Sequence, residues 1–391
     1  MKKNAAFALW ITCFCAGIVF SAEAAPQRIT IIFSVDGVGY EQLKTIDPDF
    51  VRTHDVRGIV PPFPSYTFPS HVTLATGVEP ETHAVLNNEP HREERAAGFP
   101  TKEDRNFASR IKAEPLWTGW KERSGVHTEV FDWPCSYGPW NGKHADRSET
   151  KFVVKSFPEI ADVLMKRLED WDKKDDFLFM SWTPGLDQVG HVSGPLSTEV
   201  REAWKTLVRD KENLHSRIAQ FGEAMKAQGR EMRISFVTVA DHGMLAITKT
   251  VHPKGLIDAF ADAPTSIEWK EASPVVYFHK DVPADFEKRI ADLKIGMKIK
   301  TISDRFYGVR AMGSLPPGAI FSQETSGPLS RKGMHGYLPS DSKDMKASLW
   351  VDRWENGGWI KEPKRAFPRL SAIKRSTEFR RALEQDLGYG K

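Results

Sequence analysis

Three stretches of the chain are apolar without the alternation of a half-exposed strand: residues 28–35 (RITIIFSV), 177–182 (FLFMSW) and 234–240 (ISFVTVA). Runs of this kind, rich in β-branched and aromatic residues, predict strands covered on both faces, as in a parallel α/β sheet. Residues 126–133 predict another strand, and from about residue 346 the pattern reads as a last strand followed by a C-terminal helix. Between the strands the period changes. Residues 157–171 carry apolar positions at helical spacing, 197–228 predict a long amphipathic helix, and 115–123 a shorter one opened by proline. Over 246–330 the pattern is less regular, with several prolines, Lys/Asp-rich helices and short strands such as 275–278, which predicts an insertion or cap on the sheet domain. The acidic cluster at 170–176 lacks the glycine of a calcium loop and reads as a solvated connector.

Side chains able to bind metal follow the apolar runs directly. Asp36 ends the first run and precedes Gly37-Val38-Gly39, and Asp241-His242-Gly243-Met244 ends the third. Open α/β sheets place their chemistry at the carboxyl ends of such strands. A dinucleotide loop is excluded after the first run, because Gln42 stands where the third glycine is needed. Asp187 and His191 are spaced i, i+4, which puts both on one face of a helical turn. His335 lies in Gly333-Met334-His335-Gly336-Tyr337, where flanking glycines let the backbone bend close to an ion. Residues 65–71 (SYTFPSH) follow the proline-rich 61–64 and run into a predicted helix closed by Gly77. Thr67 then stands at a helix start, whose free N–H groups favour an anion and suit a hydroxyl that attacks phosphorus.

Taken singly, Thr67, Ser70 and Asp36 also read as helix caps, and Asn88, in the turn-rich 77–88, as a surface loop residue. Taken together, three Asp and three His describe a two-metal site. Mixed Asp/His sets suit zinc, with manganese or iron second. Two such ions about 3.5–4 Å apart would clamp an in-line displacement at phosphorus. The aromatic loop 133–140 either walls a pocket or packs, and Cys135 within it does not open the Cys-x-Pro-x-Arg of a sulfatase.

Composition narrows the setting. Met1-Lys2-Lys3, an apolar run over about 5–20 and Ser21-Ala22-Glu23-Ala24-Ala25 describe a secretory signal peptide over 1–24, so the expected location is periplasmic or secreted. That run is too short to be a comfortable membrane anchor. Loss of two Lys and one Glu with it takes the formal charge from +3 to +2, which gives no electrostatic reason to bind nucleic acid or a membrane. Cys13 and Cys15 lie in the signal, which leaves Cys135 with no partner for an intramolecular disulfide. About 367 residues remain, enough for one large α/β domain with an insertion or for two domains.

Through Val35-Asp36-Gly37, Thr67-Phe68-Pro69, the run from Thr76-Gly77 to His83, the stretch from Asp187 to Pro195, Asp241-His242-Gly243-Met244 and His335-Gly336-Tyr337, the chain resembles the nucleotide pyrophosphatase/phosphodiesterase family of the alkaline phosphatase superfamily. The resemblance implies a three-layer α/β sandwich with a largely parallel sheet, its core formed by 25–245 and 331–391. It implies Thr67 as nucleophile, one zinc on Asp36, Thr67, Asp241 and His242, and a second on Asp187, His191 and His335. Asn88 matches the ligand of a phosphate oxygen, and Phe68 and Trp182 match the aromatic pair that holds a nucleobase, Trp182 standing where a tyrosine is frequent. Ser70 replaces the usual Asn, and Gly185-Leu186 the usual Glu-Pro. The implied reaction cleaves a nucleotide or other phosphodiester through a phosphothreonine, in a monomer or dimer. Phosphomonoester or phosphonate cleavage on the same scaffold, or a non-catalytic envelope binding protein, are the alternatives.

Overall fold

Each apolar run becomes a strand of one sheet. The computed structural model describes residues 26–89, 111, 113–149, 153–302, 308–324, 331–360 and 366–389. The segment 1–24, with Cys13 and Cys15, lies outside the described residues. The principal strands are β1 (Gln27–Val35), β2 (His127–Phe131), β3 (Phe177–Thr183), β4 (Met232–Val239) and β5 (Ala347–Glu355). They lie in the order β5-β4-β1-β3-β2, with short strands Gly358–Trp359 and Arg147–Ser148 at the two ends and Arg57–Ile59 beside β5. The contacts of β4, β1, β3 and β2 are parallel, while β5 runs antiparallel to β4. The architecture is therefore an alkaline-phosphatase-like α/β sandwich with a mostly parallel central sheet flanked by helices.

Both faces of the sheet are covered, which is why its strands do not alternate apolar and polar. Ile29, Ile31 and Phe33 of β1 point to the side packed by α2 (Phe157–Asp170) and α4 (Thr198–Ala227). Ile32 points to the other side, where α1 (Thr67–Thr76) and α5 (Phe379–Leu387) pack. The Ser197 hydroxyl caps α4 by accepting from the Val200 N–H at 3.2 Å. Among the described residues, no helix is long and apolar enough to cross a membrane.

Over 246–330, Ile267–Trp269, Val275–His279, Lys298–Thr301 and Val309–Ser314 form a separate four-stranded sheet with its own apolar cluster around Phe260, Phe278 and Phe286. Lys249–Val251 and Ala319–Phe321, near the ends of the interval, pair with each other. One expectation needs correction, and one open alternative is decided. The 170–176 stretch is not merely a solvated connector, because the Asp176 carboxylate accepts from the backbone N–H and guanidinium of Arg28 at 2.8 Å and so ties down the start of β1. The 133–140 loop packs rather than walls a pocket: Trp133, Cys135 and Trp140 are buried, and the Trp140 indole donates to the Cys135 carbonyl.

Candidate metal centre and active site

The strand register gathers the site. Val35 lies beside Thr183 and Ser34 beside Val239, so β1, β3 and β4 end level with one another. Asp36, the 184–187 turn and Asp241-His242 therefore leave the sheet at one edge, as parallel strands require of a site at their carboxyl ends. The turns interlock through glycine. Gly37 has φ +69°, and a Cβ there would lie 2.7 Å from Asp187 Cα. Gly185 has φ +51°, and its Cβ would lie 2.5 Å from the Asp36 carbonyl. Gly185-Leu186 is thus a close approach of two backbones, sealed by the Leu186 N–H donating to Asp36 O at 2.9 Å and by the buried Leu186 side chain.

Asp187 and His191 lie on one short helix, α3 (Asp187–Ser193), with Asp187 Oδ2 3.3 Å from His191 Nε2. Asp187 Oδ1 is 3.3 Å from His335 Nε2. On the other side, His242 Nε2 lies 3.3 Å from Asp36 Oδ1 and 3.1 Å from Asp241 Oδ2. The His242 and His335 rings stack at 3.7 Å, which joins the two sets. Among the described residues, two groups have ligand atoms close enough to hold an ion: Asp36, Asp241 and His242, and Asp187, His242 and His335. His242 belongs to both, and His191 adjoins the second through Asp187.

The donor chemistry fits cations. His191, His242 and His335 each place Nδ1 against a backbone carbonyl, those of Gly333, Gly243 and Ser65, at 2.8, 3.1 and 2.9 Å. A carbonyl only accepts, so Nδ1 carries the proton and Nε2 presents a lone pair to the site. Asp36 Oδ1, Asp187 Oδ1, Asp241 Oδ2 and His242 Nε2 are buried with no hydrogen-bond partner. Orphaned ligand-type atoms clustered in this way are what a bound cation satisfies. The other oxygens are held: Trp182 Nε1 donates to Asp36 Oδ2 and Gly37 N to Asp241 Oδ1, both at 3.1 Å.

The local charges follow from this packing. Burial, then Asp241 and Asp187, push the Asp36 carboxyl well above the usual range. Burial acts upward on Asp187 too, but His335 and His191 outweigh it and hold that carboxyl low. His242 likewise overcomes burial and keeps Asp241 near 2. Burial and the facing His242 depress His335 to about 3.

Thr67 is the first residue of α1, with extended Tyr66 before it and left-handed Gly77 closing the helix. It lines a cavity of about 610 Å³ together with Asp36, Asp187, His191 and His335. Phe68 and Trp182 line the same cavity. Asn88 is not the exposed loop residue that its composition suggests. It is half-buried, and its Oδ1 accepts from the Phe68 N–H at 2.8 Å, which leaves its amino group to donate elsewhere. Asp241 and His242 are fully buried behind the cavity wall.

The structure therefore brings together all of Asp36, Thr67, Phe68, Asn88, Trp182, Asp187, His191, Asp241, His242 and His335. Sequence reasoning missed Tyr66, Val154, Gln188, Val192, Arg331 and Met334, which also line the cavity. It missed His71, whose Nδ1 contacts Thr67 O at 2.6 Å and whose Nε2 contacts Ser34 Oγ at 2.7 Å, bracing α1 on β1. The four-residue spacing from Thr67 was its one available signal. His83 is a structural residue, buried and bonded to Thr73 Oγ1 at 3.0 Å.

A family model described as type I phosphodiesterase / nucleotide pyrophosphatase matches residues 30–357. The chain belongs to this family. Over 226 residues it is 26% identical to an uncharacterized pyrophosphatase/phosphodiesterase of Schizosaccharomyces pombe, covering 56% of this chain and 45% of that protein. It is 24% identical to human ectonucleotide pyrophosphatase/phosphodiesterase family member 1 over 55% of this chain and 23% of that one. It is 27% identical to venom phosphodiesterase 2 of Crotalus adamanteus over 60% and 29%. The match thus spans less than half the length of these relatives. Among solved structures, an inactive Thr-to-Ala variant of murine ectonucleotide pyrophosphatase/phosphodiesterase 5, in complex with AMP, superposes with a TM-score of 0.68 at 16% identity, covering 92% of this chain and 95% of that one. The human counterpart gives 0.66 at 17%. These likenesses establish the fold. The type I phosphodiesterase / nucleotide pyrophosphatase family to which the chain belongs is a hydrolase family.

Proposed function

We propose that this type I phosphodiesterase is a periplasmic or secreted two-zinc enzyme that cleaves phosphodiester or pyrophosphate bonds through a phosphothreonine on Thr67 and releases a nucleoside 5′-monophosphate. The observation that carries the reading is the pair of Asp/His groups sharing His242, with orphaned buried ligand atoms, at and behind the wall of the cavity that Thr67 lines from a helix start. Asp36, Asp241 and His242, with Thr67, would hold one ion, and Asp187, His191 and His335 the other; bound there, the ions supply charge stabilisation at phosphoryl oxygens and lower the pKa of coordinated hydroxyls.

The Thr67 hydroxyl gives up its proton as Oγ1 forms the new bond to phosphorus and the bond to the leaving oxygen breaks; that oxygen departs with the electron pair and takes up a proton. Water then cleaves the phosphothreonine ester, which frees the monophosphate and restores the hydroxyl. The amino group of Asn88, oriented because its Oδ1 is fixed by the Phe68 N–H, donates to a phosphate oxygen. Phe68 and Trp182 offer aromatic faces to a nucleobase. The AMP bound by the murine structural relative supports a nucleotide in this cleft.

The test is turnover of p-nitrophenyl thymidine 5′-phosphate after EDTA treatment and zinc addition, in wild type and Thr67→Ala. Activity abolished by EDTA, restored by zinc and absent from Thr67→Ala is expected; turnover that survives either perturbation contradicts the proposal. Running p-nitrophenyl phosphate and phosphonoacetate in parallel separates diester from monoester and phosphonate cleavage.

A further inference from the structure

One turn after Thr67, α1 carries a histidine that neither lines the cavity nor belongs to a metal group. His71 is fully buried, and its ring is held at both nitrogens: Nδ1 lies 2.6 Å from the Thr67 carbonyl and Nε2 2.7 Å from Ser34 Oγ. A carbonyl only accepts, so the proton sits on Nδ1, and Nε2 accepts from the Ser34 hydroxyl. Asp241 Oδ2, 3.7 Å from Nδ1, is too distant to take that hydrogen bond instead.

The surroundings keep the ring where it is. Ser34 and Trp133 are fully buried beside it. The Trp133 indole stands edge-on to the imidazole, with ring centres 5.0 Å apart at 80°, and its N–H donates to the His71 carbonyl at 3.3 Å.

These bonds act on the peptide group that follows the nucleophile. The carbonyl of the Thr67–Phe68 peptide meets His71 Nδ1, and its N–H meets Asn88 Oδ1 at 2.8 Å, so both polar atoms of one plane are tied to side chains. A peptide group is rigid, and fixing its two ends fixes the Thr67 Cα. Threonine is β-branched and stiff at χ1, which leaves Oγ1 one restricted torsion away from that fixed atom. The other nitrogen adds a second tie. Ser34 stands in β1 two residues before Asp36, so the imidazole joins the backbone of Thr67 to the strand that delivers Asp36.

We propose that His71 is a positioning residue: through Nδ1 it clamps the Thr67–Phe68 peptide and so aims Thr67 Oγ1, and through Nε2 it ties that aim to the end of β1. The inference rests on the reading of Thr67 as nucleophile above. His71 touches no substrate and carries no proton in the reaction; it holds the hydroxyl within the small tolerance that a reacting group allows.

Replacements that keep one ring nitrogen at a time provide the test. The amide nitrogen of Asn takes the place of Nδ1, the end of Gln takes that of Nε2, and Leu supplies neither. On p-nitrophenyl thymidine 5′-phosphate, kcat should fall about tenfold or more in His71→Gln and His71→Leu, with KM and metal per chain within about twofold of wild type, and stay within about threefold of wild type in His71→Asn. Asn leaves the largest hole against Trp133, so His71→Asn should have the lowest melting temperature of the three. Activity and stability then rank the variants in opposite orders, which a merely structural role would not produce. His71→Asn as slow as His71→Leu overturns the proposal, as does an unchanged kcat in all three or a fall in kcat that only follows lost metal. If His71→Asn does not fold, Ser34→Ala decides: a kcat several-fold lower at unchanged KM supports the clamp, and an unchanged kcat overturns it. Crystal structures of the variants give a readout without turnover, with Thr67 Oγ1 displaced by about 1 Å in His71→Gln and in place in His71→Asn. If that displacement appears while wild type fails to hydrolyse the diester, the clamp stands and the phosphodiesterase reading fails. If Thr67 keeps its place in every variant, the clamp is wrong whatever the activity.

Discussion

Gly37→Ala perturbs the site without replacing any of the proposed ligands. Two costs follow from the structure. The first is conformational: at φ +69° an L-residue loses about 1–2 kcal/mol relative to its preferred backbone. The second is steric and specific. The new methyl would lie 2.7 Å from Asp187 Cα and 2.9 Å from its Cβ, so the 184–187 turn must retreat by roughly 0.7 Å to reach the 3.4 Å of ordinary contact. That retreat drags Asp187 away from His335 and the stacked His242. Misplacement of about 1 Å in a reacting constellation costs on the order of 10²-fold in rate. Gly125→Ala is the control, because Gly125 has φ +63° and nothing within 4 Å of its Cβ, so it carries the conformational cost alone. Metal per chain by plasma mass spectrometry and kcat/KM on p-nitrophenyl thymidine 5′-phosphate are the assays. Gly37→Ala should lose about a hundredfold in kcat/KM together with part of its metal, while Gly125→Ala stays within about twofold of wild type and loses only thermal stability. Full metal content and near-normal turnover in Gly37→Ala would refute the interlocked-turn reasoning, as would equal losses in both variants.

Trp182→Phe keeps an aromatic face but removes the indole donor to Asp36 Oδ2. Losing a hydrogen bond to a charged group costs about 1.5–3 kcal/mol, so metal affinity should fall roughly tenfold or more with KM little changed, whereas Trp182→Ala raises KM as well; an equilibrium chelator titration with steady-state kinetics checks both. Away from the site, the buried Asp132 carboxyl meets the Lys155 ammonium at 2.6 Å. Burial, then Glu149, push its pKa up to about 7 against the opposing pull of Lys155. A carboxyl with a raised folded pKa binds its proton more tightly in the native state. Its contribution is therefore full below the unfolded carboxyl pKa and is lost as pH rises toward 7. Asp132→Asn should flatten the fall of denaturation midpoint between about pH 4 and 7; an unchanged pH slope contradicts this assignment.

The sheet was legible because strands covered on both faces must be apolar throughout, and Asp36 and Asp241 were legible because they stop those runs abruptly. Asp187 and His191 could be read as a pair because a helical turn fixes i and i+4 on one face. Their meeting with His335 depends on contacts between distant segments, which the spacing of residues along the chain does not encode. The shared place of His242 between the two groups could not be read either, since it comes from ring stacking on His335. Asn88 was misjudged for a similar reason: a loop amide looks solvated until the Phe68 N–H that it caps is brought beside it. The cavity walls at Tyr66, Val154 and Arg331 come from loops, which carry little periodic signal.

The stereochemical course at phosphorus tests the central claim most directly. With a nucleoside phosphorothioate diester of defined configuration hydrolysed in isotopically labelled water, attack by Thr67 followed by attack of water gives two inversions. The account predicts net retention. Net inversion would mean that water displaces the leaving group in a single step, and Thr67 would then not be the nucleophile.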